Sequence, residues 1–190
     1  MSYLPDPRVF ARRPRHEAGA GLRPKLLKAI ATGFVLLALA SASGRAELRP
    51  GDAFPALIPA ELDGGPIPTL SGHVAVVDFW ASWCAPCKAS FPAYARLHAD
   101  FAARGLVVLA VSVDERLGDY ETFLKRWHPP FATVRDAHKR LVSAVQVPTM
   151  PTSYVLGRDG RVRFVHVGFH GAATENEMRA QIESLLALKK

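Results

Sequence analysis

An α/β fold, with a central mixed β-sheet flanked by helices, is predicted by three features of this 190-residue sequence. Two apolar runs, Val74–Ala81 (VAVVDFWA, broken only by Asp78) and Leu106–Val113 (LVVLAVSV), read as strands buried on both faces, as in a parallel sheet. Between them Cys87, Phe91, Tyr94, Leu97 and Phe101 recur at helical spacing, and Gly105 follows as a helix-ending signal. Strand, helix, strand in that order is a βαβ unit. Nearer the C-terminus, Thr152–Leu156 and Val162–Val167 flank Gly157-Arg158-Asp159-Gly160, where Asp-Gly is a strong hairpin signal.

The chain divides into a basic leader, residues 1–46, and one domain, residues 47–190. Lys25 and Lys28 precede an uncharged run, Ala29–Ala42, followed by small-residue cleavage patterns such as Ala38-Leu39-Ala40 and Ala40-Ser41-Ala42. That run is shorter than the ~20 residues of a membrane span and fits the apolar part of a secretory signal. A cleaved signal and a retained single-pass anchor are both open, and either places the domain in the periplasm or at the outer face of the inner membrane. Residues 47–73 are rich in Pro and Gly and are expected to form an N-terminal strand or hairpin extension, with Gly64-Gly65 as a candidate turn. Asp119–Trp127 is expected to be a second helix stopped by Pro129-Pro130. A short strand at Phe131–Arg135 and a short helix at Lys139–Val145 follow. The last helix carries Met178, Ile182, Leu185 and Leu186 on one face.

Charge excludes some functions. Of the net +7, the leader carries +6, from eight Lys/Arg and two Asp/Glu; residues 47–190 hold sixteen and fifteen and carry +1. The domain has no excess of cations for phosphates, so no nucleic-acid partner is expected. Two cysteines cannot build a multi-disulfide scaffold, a four-Cys zinc site or a Cys-ligated iron–sulfur cluster in one chain.

Those two, Cys84 and Cys87 in Trp83-Cys84-Ala85-Pro86-Cys87-Lys88, sit where the first buried strand turns into the first helix. A helix N-terminus offers unpaired N–H groups and partial positive charge, so a Cys84 thiolate is stabilised there. A thiol of pKa near 8.5 is about 3% thiolate at pH 7; lowering the pKa to about 7 makes it roughly half. Cys84 is then the nucleophile that forms a mixed disulfide, and Cys87, one turn on, resolves it. Pro86 suits the first helical turn, and Trp83 is expected to shield the nucleophile. Asp78 lies inside an apolar strand, where burial raises its pKa and suits it to move a proton to or from Cys87. His166 and His170 stand 78 or more residues beyond Cys87, far from zinc-finger spacing, so no metal is expected; copper bound by a His near the dithiol is the alternative.

The run Asp78–Lys88 resembles the active-site strand and turn of the thioredoxin superfamily. Pro92 falls where that family kinks its first helix, and Met150-Pro151-Thr152 resembles its cis-proline loop. The leader, the Gly51–Pro55 segment and an insert near 116–127 are similar to the exported TlpA-like and ResA-like branch, over roughly residues 48–188. The resemblance implies a thioredoxin fold, a cis Pro151, and Met150 presenting its backbone to substrate. It also implies a monomeric protein-disulfide reductase with no cofactor beyond its own redox-active disulfide. Its implied partners are disulfide-containing clients, such as cytochrome c precursors or copper-site proteins, and a membrane electron donor of the thiol-relay type. A disulfide-forming oxidant and a copper-delivery module are the competing readings. Three departures stand out: Ala85 where ResA-like members often carry Glu, no Lys in Leu109–Val113 to face Asp78, and no peroxidase-type Thr-x-x-Cys.

Overall fold

The computed structural model describes residues 47–188; the signal or anchor expected in residues 1–46 lies outside them. The order is β1 (Val74–Trp80), α1 (Ala85–Phe101), β2 (Leu106–Ser112), α2 (Leu117–Trp127), β3 (Ala132–Arg135), α3 (Arg140–Val145), β4 (Thr152–Leu156), β5 (Val162–Val167) and α4 (Ala172–Ala187). The sheet runs β3-β2-β1-β4-β5. The first three strands are parallel, and β4 and β5 are antiparallel to their neighbours. This is the thioredoxin-like arrangement. Among the described residues no helix is long and apolar enough to cross a membrane.

β1 is the central strand. Val77 pairs with Leu109 of β2 on one edge and Tyr154 of β4 on the other, and all of β1 is buried. Its side chains alternate between two cores. Val74, Val76 and Trp80 meet Phe91, Tyr94 and Leu97 of α1 and Met178 and Ile182 of α4. Ala75, Val77 and Phe79 meet Leu141 and Val145 of α3. A short helix cannot cover that second face alone. Phe54, Leu57, Leu62, Ile67 and Leu70 of the N-terminal segment complete the cover.

That segment does not form the expected hairpin. It makes single bridges, Ala53 with Arg161 and Asp63 with Arg135, around a 3-10 turn at Pro59–Glu61. Gly64 and Gly65 serve close packing instead. A Cβ on Gly64, whose φ is +88°, would strike the Tyr120 ring, and one on Gly65 would strike the Thr133 carbonyl. Arg135 fixes the segment: Nε and Nη2 donate to the two Asp63 carboxylate oxygens at 2.9 and 2.7 Å, and Nη1 donates to the Glu115 carbonyl at 2.8 Å.

The insert helix α2 begins two residues before the expected start and docks by aromatic contacts. Phe123 lies 4.4 Å from the Trp80 ring and 4.8 Å from Phe91, and the Tyr120 hydroxyl donates to Thr133 Oγ1 at 2.8 Å. The helix ends at Trp127; His128 takes a left-handed φ of 42°, and Pro129 and Pro130 carry the chain away. Phe123→Ala is expected to cost about 3–5 kcal/mol in urea unfolding of the oxidised protein, as a buried aromatic truncation does. Glu121→Ala on the exposed face should stay within about 0.5 kcal/mol.

Candidate active site

β1 ends at Trp80 and α1 begins at Ala85, so the four residues between them form the turn that carries the reactive pair. Cys84 and Cys87 are joined as a disulfide. Cys84 is the N-cap of α1: its backbone is extended, and its sulfur accepts the Cys87 N–H at 3.2 Å. The nucleophile expected from the sequence is thus already seated on the orphan donors of a helix N-terminus. Cys84 keeps 6% of its surface exposed, and Cys87 keeps none. Pro86 lies in the first turn of α1, where its missing N–H leaves no bond unmade. Trp83 is 71% exposed, so most of its indole faces water next to Cys84 in the chain.

A residue that sequence reading missed holds this turn in place. Asp114, just beyond β2 and 2% exposed, accepts the Ser82 N–H on both carboxylate oxygens at 3.1 Å and the Ser82 hydroxyl at 2.9 Å. Ser112 of β2 donates its hydroxyl to the same carboxylate at 2.8 Å. A buried carboxylate needs such donors. The only signal in the sequence was an Asp at the end of an apolar run, which does not name a partner 32 residues upstream.

The Met150–Pro151 peptide bond is cis, as the resemblance implied. Phe79 pairs with Thr152, so the loop before β4 and the turn after β1 leave the sheet at the same end. Met150 packs against the core that contains both cysteines. The Pro151 carbonyl accepts the Gly168 N–H at 2.8 Å, and the Met150 N–H and C=O are absent from the hydrogen-bonded backbone pairs of the described residues. His166 lies on β5 against α4, with Nε2 2.8 Å from Gln181 Oε1 and Nδ1 3.9 Å from Glu177. Among the described residues no group of three or more His, Cys, Asp and Glu is disposed to hold a metal ion.

Asp78 sits in the middle of β1 with no exposed surface. The Tyr94 hydroxyl of α1 donates to its Oδ1 at 2.9 Å and the Ser153 hydroxyl of β4 at 2.7 Å, while the two hydroxyls lie 2.6 Å apart. Its Oδ2 is buried with no hydrogen-bond partner among the described residues. Burial pushes the carboxyl up to about 7, against the pull of the Ser153 and Tyr94 hydrogen bonds. Both donors come from elements other than β2: Tyr94 from α1 and Ser153 from β4. Tyr94 lies two helical turns beyond Cys87 on the same buried face of α1.

The raised carboxyl binds a proton in the folded state at pH values where the unfolded chain has released it. Its contribution is therefore fully present below pH 3.8 and is lost as the pH rises through about 7. Asp78→Asn removes this dependence. The stability of the variant relative to wild type should rise by a few kcal/mol between pH 4 and pH 8, on the order that the shift implies. Urea unfolding of both oxidised proteins across that range checks it; a constant difference would contradict it.

Comparison with known proteins agrees with this architecture. The AhpC/TSA family model matches residues 50–165. The thiol-disulfide oxidoreductase ResA of Bacillus subtilis (strain 168) is 31% identical over 99 residues, 52% of this chain and 55% of the relative, so the match spans about half the length of that protein. A Chlorobium tepidum crystal structure, assigned as thiol:disulfide interchange protein DsbE, superposes with a TM-score of 0.65 at 32% identity, covering 74% of this chain and 100% of the other. A secreted Mycobacterium tuberculosis disulfide oxidoreductase, described as homologous to E. coli DsbE, shares the fold with a TM-score of 0.54 at 22% identity, over 61% of this chain and 84% of its own. Matched by the family model over more than half its length, and covering a 32%-identical structure end to end, the chain belongs to the AhpC/TSA family and is ResA- and DsbE-like within the thioredoxin fold.

Proposed function

We propose that this protein is a thiol-disulfide oxidoreductase that reduces disulfides of exported proteins. The observation that carries the reading is the Cys84 sulfur capping α1, one turn from a buried Cys87. In the reduced protein the Cys84 thiolate attacks one sulfur of a client disulfide, and the other client sulfur leaves as a thiol after taking a proton. Cys87 gives its proton to the Asp78 carboxylate and attacks the Cys84 sulfur. The Cys84–Cys87 bond forms and the second client thiol departs. Two electrons pass from the dithiol to the client.

A carboxyl poised near 7 suits this exchange, because it both accepts and returns a proton at neutral pH. The Cys84 attack is aided by the Cys87 N–H, which is already in place. Met150 and Pro151 lie where a client strand would run, and the unused Met150 backbone groups are the pairing points.

The leader supports a periplasmic location, tethered or free, and a membrane thiol-relay protein as the electron source. Similarity to ResA-type proteins supports haem-attachment cysteines of cytochrome c precursors, or copper-site cysteines of respiratory enzymes, as clients.

The equilibrium potential of the Cys84/Cys87 pair against a thiol buffer tests the direction. A value near about −270 mV is expected of a reductase; a value near about −120 mV would make the protein an oxidant and overturn the reading. Cys84→Ser should abolish client reduction. Cys87→Ser should instead accumulate a mixed disulfide, visible as an adduct by intact mass.

A further inference from the structure

A cleft of about 390 Å³ opens between the active-site turn and the insert helix. Phe123 and Trp127 provide its apolar part, their rings stacked at 5.4 Å and 10°. Lys88 and Arg126 line it, and neither is in an ion pair among the described residues. The one carboxylate in the lining, Asp119, is turned to Arg116 at 3.4 Å. The cleft includes Ser82, two residues before Cys84, and Lys88, one turn after it. It is therefore within reach of residues that flank a cysteine bound to Cys84.

We propose, resting on the reductase reading, that this cleft selects clients carrying a carboxylate and an apolar side chain beside the cysteine to be reduced. The apolar side chain packs on the Phe123–Trp127 stack, and the carboxylate lies between Arg126 and Lys88. A guanidinium binds a carboxylate by two parallel hydrogen bonds, and Arg126 is open to one because no acid among the described residues occupies it. A lysine-rich client meets two unpaired cations and is disfavoured. The insert helix is thereby a specificity element, placed next to the dithiol without contributing a sulfur or a proton.

The test uses the reduced protein and two synthetic peptides that share one disulfide loop and one leucine, with Glu-Glu in one and Lys-Lys in the other beside the cysteine. At low ionic strength the acidic peptide should be reduced at least about threefold faster, and added salt should narrow the gap. In Arg126→Glu the ratio of the two rates should fall to about one or invert. Because the readout is a ratio within each protein, general damage to the fold does not mimic it. Equal rates in wild type, or an unchanged ratio in Arg126→Glu, would overturn the cleft assignment and leave the reductase reading standing. Failure to reduce either peptide or the uncharged bis(2-hydroxyethyl) disulfide would overturn both.

Discussion

The double pairing of β1 is the constraint on which the rest of the molecule depends. With hydrogen-bonded neighbours on both edges and a core on each face, the strand has no freedom to shift register. Its end sets where the turn begins and therefore where Cys84 meets the helix N-terminus. Its middle carries Asp78, a carboxyl with no exposed surface. Such a group needs donors from whatever surrounds it. They come from α1, which covers the strand, and β4, which flanks it. The packing that makes the strand immobile also supplies the chemistry of its acid.

Charge contributes unevenly to the fold. Most ion pairs lie on the surface, where each is worth little. Arg135 differs: 8% exposed, it is matched by a two-pronged carboxylate and by backbone carbonyls. Loss of Asp63 would leave a buried cation without its partner. Together with the apolar residues that seal the second face, this makes residues 47–73 an integral layer of the domain rather than a tether.

Much of the fold was legible because its signals are local. β4 and β5 match the expected bounds, since an Asp-Gly turn between two short β-rich runs has few other outcomes. The buried face of α1 followed from spacing alone. Gly64-Gly65 misled for a physical reason: glycine marks a turn and a close approach alike, and only the Tyr120 ring and the Thr133 carbonyl, far along the chain, decide between them. The cysteines and Asp78 were legible as types out of place in apolar surroundings. Their partners were not. Ser153 lies 75 residues from Asp78, and Asp114 lies 32 from Ser82, so these contacts exist only once the strands are ordered.

The Ser82–Asp114 clamp separates two properties of the reactive turn. Position is held from outside, by a carboxylate anchored to β2 and by the cap on α1. Ala85 and Pro86, the pair enclosed by the cysteines, are both exposed and contribute to neither core. The residues best placed to tune how readily the sulfurs give up electrons are therefore the ones the fold constrains least. A lineage of such proteins can drift from one redox poise to another through these two positions while its scaffold stays unchanged.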